Sequence, residues 1–242
     1  MSFLKTNLMQ SGVGKNILFL HGWGSDTSDF LGSYNYFSNS YHVINLDLWG
    51  FGKSETPKNV WGCDDYVEHL YKFVKKNNLK NLNLVGHSFG GKLAIKFCFL
   101  HQELCSSLIL VDSSGIKPKL SLVKRYKIYK YKKLKQLVLC GKKDEKVLEK
   151  FGSIDFKNSK GIMKQIMTKV VNENCEDELK NISIPTLIFW GKYDKDTPLF
   201  MAKKLHKQIK NSKLIICDGG HFSHIDNFLV FNKVAQNFWE GI

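Results

Sequence analysis

Gly86-His87-Ser88-Phe89-Gly90 decides how the rest of this chain is read. The apolar run Leu82-Asn83-Leu84-Val85 before it reads as a buried strand. Gly91-Lys92-Leu93-Ala94-Ile95-Lys96-Phe97 after it reads as a helix start. A serine between glycines on a strand-to-helix turn is the nucleophile-elbow pattern. The reason is steric. So tight a turn strains the serine backbone, and side chains at the flanking positions would clash, so glycine is required at 86 and 90. The hydroxyl then stands above the sheet at a helix N-terminus, whose dipole favours nearby negative charge. G-x-S-x-G alone also describes an inert turn. The strand before it and the helix after it favour the reactive reading.

Outward from this turn, strand-like and helix-like segments alternate. Apolar runs at 16–20, 41–46, 107–111, 186–190 and 213–217 end at His21, Asp47, Asp112, Gly191 and Asp218. Helical spacing marks 65–77 (Val67, Leu70, Tyr71, Val74), 91–101, 198–209 and 228–239. The stretch up to Gly14 reads as a small edge strand. Continuously apolar strands separated by helices imply an α/β fold, a mostly parallel central sheet flanked by helices on both faces. In such folds functional groups collect at the carboxyl ends of the strands. His21, Asp47, Ser88, Asp112, Asp194 and His221 all lie just past strand ends.

Residues 117–182 break the alternation. Leu122, Val123, Tyr126, Tyr129, Leu134, Leu137 and Val138 repeat at helical spacing among lysines, and Ile162, Met163, Ile166, Met167 and Val170 do so again. The expected organisation is therefore a core of 1–116 and 183–242 interrupted by a helical lid at 117–182. From Lys117 to Lys180 there are 18 Lys and Arg against 8 Asp and Glu, which places +10 of the chain's +14 net charge in this segment. Solvated lysine-rich helix faces account for such a balance. A docking surface for an acidic partner is the sharper alternative.

The motifs together resemble the lid-bearing α/β-hydrolases, over essentially the whole chain. The resemblance rests on His21-Gly22-Trp23-Gly24, Asp47-Leu48-Trp49-Gly50-Phe51-Gly52-Lys53-Ser54, the elbow through Gly91, Gly191-Lys192-Tyr193-Asp194-Lys195-Asp196-Thr197-Pro198, and Gly219-Gly220-His221-Phe222. The chain order serine, acid, histidine matches that family. It implies Ser88 as nucleophile, His221 as its base and Asp194 as the acid that orients and stabilises the imidazole. Asp112 is an alternative acid, since related enzymes place it after that earlier strand, and Asp196 is close by. His224 competes with His221, but G-G-H selects the latter. The backbone N–H groups of Phe89 and Trp23 are the expected oxyanion donors. Trp23, Phe89 and Phe222 are the expected substrate pocket, with Trp49, Met163 and Met167 as further apolar candidates. His21 and His87 read as bracing and packing residues, and Asp47 as a turn-former.

The implied reaction is acyl transfer to Ser88 from a small-molecule acyl ester, followed by hydrolysis. Residues 190–198 resemble small esterases and 3-oxoadipate enol-lactonase-like enzymes. C–C bond hydrolysis is the nearest alternative chemistry, and a methyl esterase acting on an acidic carrier protein at the basic lid is a third. Serine at 88 argues against epoxide hydrolases and haloalkane dehalogenases, which carry aspartate there. No cofactor and no metal are expected: the histidines lack ligand spacing, and Gly22-Trp23-Gly24 lacks the remainder of a dinucleotide fingerprint. Nucleic acid is not an expected partner, since the lysines and tyrosines of the lid carry no recognised motif. No apolar run approaches the ~18 residues of a membrane span, and no signal peptide is visible. Six scattered cysteines without a C-x-x-C pair suggest free thiols and a cytoplasmic location.

Overall fold

The computed structural model describes residues 4–117, 122–148 and 150–242. Its seven-stranded sheet runs in the order β1-β3-β2-β4-β5-β6-β7. The strands are β1 (Leu8–Ser11), β2 (Asn16–Leu20), β3 (His42–Leu46), β4 (Leu82–His87), β5 (Cys105–Val111), β6 (Thr186–Gly191) and β7 (Ser212–Cys217). β1 pairs antiparallel with β3 at one edge, and every other pairing is parallel. The mostly parallel sheet and the N-terminal edge strand are therefore as the apolar pattern predicts.

Alternation within each strand sends neighbouring residues to opposite faces. Leu18, Leu20, Leu84 and Ile188 join one core, with Leu70 and Val74 of α2 (Cys63–Lys76), Leu93 and Phe97 of α3 (Ser88–Leu100), and Leu205 of α7 (Phe200–Gln208). Ile17, Phe19, Val85 and Phe189 join the other, with Phe37 of α1 (Leu31–Phe37) and Phe231 and Trp239 of α9 (Phe228–Glu240), which follows the one-turn α8 (Ser223–Asp226). Both faces are covered, so the strands lack polar alternation. Each fully buried Leu, Ile or Phe contributes roughly 1.5–3 kcal/mol. The strand ends that carry the site thus belong to a sheet packed on both faces.

Two local features differ from the sequence reading. α3 begins at Ser88 itself, three residues before the expected start. α1 was not marked by periodicity, because Gly32 and Asn35 interrupt it; Ser33, Tyr34 and Phe37 are nonetheless its buried face. Between β5 and β6 lie α4 (Leu122–Leu139), α5 (Ile154–Asn158) and α6 (Gly161–Val170). Positions 118–121 and 149 of the expected 117–182 insertion lie outside the described residues. α6 buries Ile166, Met167 and Val170, whereas Leu122, Tyr126 and Tyr129 of α4 are exposed. Among the described residues no helix is long and apolar enough to cross a membrane.

Candidate active site

β4 delivers Ser88 at the end of a central strand, and the backbone there is strained as expected: Ser88 has φ +48°. The glycines permit the approach of three elements. A Cβ on Gly86 would lie 2.5 Å from Gly90 O, and one on Gly90 would lie 2.1 Å from Leu20 O. A Cβ on Gly91 would meet Ser113 Oγ at 2.3 Å. Contacts this short with backbone atoms cannot be relieved by rotating a side chain, so the elbow admits no side chain at 86 or 90.

Ser88, His221 and Asp194 come together from three strand ends. Ser88 Oγ lies 3.0 Å from His221 Nε2, and His221 Nδ1 lies 2.9 Å from Asp194 Oδ2. The hydroxyl can donate to Nε2 while Nδ1–H donates to the carboxylate. Asp194 Oδ1 accepts the backbone N–H groups of Asp196 (2.8 Å) and Thr197 (2.9 Å), and the Thr197 hydroxyl donates to Oδ2. Burial opposes ionisation of Asp194, but these bonds, led by His221, hold its carboxyl below the usual carboxylate range. Burial likewise disfavours the His221 imidazolium. The bond to Asp194 and its charge outweigh that, with Asp112 and Asp196 adding, and the imidazole sits above its ordinary value.

Of the two competing acids, Asp196 lines the cavity beside His221 without a hydrogen bond to it, and Asp112 is occupied elsewhere. Asp112 Oδ1 accepts from Gly191 N–H (2.8 Å) and Oδ2 from Ser223 N–H (2.9 Å), so Asp112 clamps the β6 end to the His221 loop. Its burial pushes the carboxyl up to about 6. Asp47 is a turn-former: it accepts from Thr27 N–H, Lys53 N–H and the Asn7 amide. His21 braces the neighbouring turn. Its Nδ1–H donates to Gly22 O at 2.7 Å, and Nε2 accepts from Leu48 N–H at 2.8 Å. Burial, only partly offset by nearby acids, lowers its pKa, which suits that neutral tautomer.

A cavity of about 290 Å³ opens on Ser88 and His221 and is lined in part by Trp23, Phe89, Met167, Asp155 and Lys92. The Trp23 and Phe89 rings meet edge to face at 5.2 Å. Among the described residues the backbone N–H groups of Trp23 and Phe89 have no hydrogen-bond partner. Phe222 does not line this cavity. It is 46% exposed, and its ring lies 4.9 Å from that of His87 and 5.6 Å from that of His221. Trp49 is fully buried in the core against Trp61 and His69, and Met163 packs over Gly50. Only Met167 of the two methionines reaches the cavity.

Several participants escaped the sequence reading. Thr197 belongs to the Gly191–Pro198 motif, but no spacing rule gives its hydroxyl a role. Lys92, one turn after Ser88, is buried and donates to Val170 O and Glu173 O, tying α3 to the end of α6. Asp29 carries no motif, yet it gathers His87 and His224. His224 is therefore a packed residue, its Nε2 3.2 Å from Asp29 O and its ring 4.8 Å from that of His87. Among the described residues two groups bring metal-ligand types together, Asp29-His87-His224 and Asp194-Asp196-His221. In both, hydrogen bonds between the members already engage ring nitrogens and carboxylates.

A sequence profile described as the alpha/beta hydrolase fold matches residues 15–139. Over 248 residues the chain is 26% identical to the AB hydrolase superfamily protein YisY of Bacillus subtilis, covering 94% of this chain and 92% of that one. It is 29% identical over 117 residues to the 2-hydroxy-6-oxo-6-(2'-aminophenyl)hexa-2,4-dienoic acid hydrolase of Metapseudomonas resinovorans, a match spanning 47% of this chain and only 40% of that relative. In structure it is similar to an esterase from Exiguobacterium antarcticum, with TM-score 0.77, 23% identity and coverage of 97% and 95% of the two chains. The profile spans the Gly22–Gly24 turn, the elbow and strands β2 to β5, and the structural likeness covers nearly the whole chain. The chain belongs to the alpha/beta hydrolase fold family.

Proposed function

We propose that this hydrolase cleaves a carboxylic ester or thioester through an acyl-enzyme on Ser88. The observation that carries the reading is the Ser88–His221–Asp194 chain of hydrogen bonds, at 3.0 and 2.9 Å, on a serine held at φ +48°. His221 takes the Ser88 proton as Oγ attacks the acyl carbon, and Asp194 stabilises the imidazolium. The N–H groups of Phe89 and Trp23 face the developing oxyanion, a donation worth about 3 kcal/mol for each donor. His221 then gives its proton to the leaving group. In the second half it activates water, which releases the acid and regenerates Ser88.

Covalent labelling by a fluorophosphonate probe, together with turnover of p-nitrophenyl acetate, tests this. Both should vanish in Ser88→Ala. Unimpaired turnover in that variant would show that the mechanism is wrong. The segment between β5 and β6 acts in this reading as the lid, because its Met167 and Asp155 line the cavity that opens on Ser88. A panel of acyl esters of graded length, an enol lactone and a β-diketone separates ester hydrolysis from the lactone and C–C alternatives. An acidic carrier docking on the basic segment would make kcat/KM for the carrier-bound ester fall with salt.

A further inference from the structure

His87 presents both ring nitrogens to acceptors. Nδ1 lies 2.9 Å from Asp29 Oδ2, and Nε2 lies 2.7 Å from the backbone carbonyl of His221. A neutral imidazole has one N–H. With the proton on Nδ1, the Nε2 lone pair would face the His221 carbonyl; with it on Nε2, the Nδ1 lone pair would face a carboxylate. Turning the ring over puts carbon atoms at these oxygens, closer than a carbon–oxygen contact allows. We propose that His87 is held as a buried imidazolium by Asp29, and that this pair positions the base His221 through its carbonyl oxygen.

The surroundings suit the charge. Asp29 Oδ2 also accepts Gly22 N–H at 3.1 Å, and Oδ1 lies 3.3 Å from His224 Nε2. Burial opposes ionisation of Asp29, but the charges and bonds of His87 and His224 hold its carboxyl far below the usual range. From the other elements packed on it, His87 faces His221 at 5.0 Å, Phe222 at 4.9 Å and His224 at 4.8 Å between ring centres, and it lies within electrostatic reach of Asp112. The pair joins three parts of the site. Gly22 precedes the Trp23 donor, His87 precedes Ser88, and His221 is the base. Asp29 and His87 touch no reacting atom, so they are positioning residues.

The protonation state is read directly. Two-bond proton–nitrogen NMR of the wild-type protein at neutral pH, with the His87 signal identified by its loss in His87→Gln, should show protons on both ring nitrogens. One bare nitrogen overturns the proposal. In Asp29→Asn the ring should become neutral, and kcat for p-nitrophenyl acetate should fall about tenfold to a hundredfold with KM little changed, as for a misplaced base. An unchanged kcat in that variant overturns the positioning role. A glutamine amide can donate to the His221 carbonyl without charge, so His87→Gln should retain more kcat than His87→Ala, and equal values count against the proposal. The kinetic arm rests on the ester-hydrolase reading and the NMR arm does not. If the fluorophosphonate fails to label wild-type Ser88, that reading falls while the spectrum still decides the charge on His87.

Discussion

Asp194→Asn separates geometry from charge at the proposed base. Asn Oδ1 can keep the bonds from Asp196 and Thr197 N–H, at 2.8 and 2.9 Å, only if Nδ2 takes the place of Oδ2 beside His221 Nδ1. Nδ2 donates, so Nδ1 must accept and the ring proton moves to Nε2. That proton faces Ser88 Oγ at 3.0 Å, and the base is gone. The opposite amide orientation sets Nδ2 against two backbone N–H groups and loses about 2–4 kcal/mol. The productive tautomer is therefore depleted by a factor of roughly 30–1,000, since each ~1.4 kcal/mol is tenfold. Losing the carboxylate beside the imidazolium in the transition state adds to this, for a total fall in kcat of about 10³–10⁴-fold. Initial rates with p-nitrophenyl acetate and the rate of fluorophosphonate labelling measure it, with circular dichroism to establish the fold. A folded Asp194→Asn within tenfold of wild type would refute the argument. Asp112→Asn is the control: both Asp112 oxygens hold backbone N–H groups, so it should lose stability well before it loses chemistry.

The remaining expectations concern pH and packing. Because only neutral His221 can take a proton, and its pKa is raised above 6.5, kcat/KM should fall with acid at a midpoint above 6.5; a midpoint below that contradicts the Asp194–His221 coupling. Asp112 titrates near 6 in the folded chain and near 3.8 unfolded, so the native state binds more protons between these values. Stability should therefore drop by about 3 kcal/mol as pH rises through that window, a loss that Asp112→Asn removes from urea melts taken at pH 4 and 7. Gly90→Ala sets a Cβ 2.1 Å from Leu20 O and should cost about 3 kcal/mol, with loss of Ser88 labelling; a wild-type midpoint would show that the elbow has slack.

What the sequence reveals follows from how local each constraint is. Strands buried on both faces must be apolar throughout, so β2 through β6 are visible as runs. The elbow is visible because sterics at 86 and 90 admit only glycine. α1 is hidden because tertiary burial of Tyr34 and Phe37, rather than periodicity, holds it. Phe222 misleads for a related reason. Adjacency to His221 says nothing of direction, and its ring packs against those of His87 and His221 rather than lining the cavity. Asp29 is silent because its role depends on His87 and His224, which are 58 and 195 residues away in sequence, and no short spacing can encode that meeting.

These distances also explain why an apparently redundant set of histidines is not redundant. His21, His87, His221 and His224 lie at strand ends or one turn beyond; the first three each have a distinct pair of partners, and among the described residues His224 is engaged through Nε2 alone. Two accepting partners on His87 call for a cation, whereas a donor and an acceptor on His21 call for a neutral ring. His221 alone joins a carboxylate on one nitrogen to a hydroxyl on the other, so it alone can exchange a proton with Ser88 while staying anchored. The proposed base is thus selected by what its two nitrogens face. Removing the carboxylate at either Asp29 or Asp194 would therefore reassign the protons of the imidazole it faces.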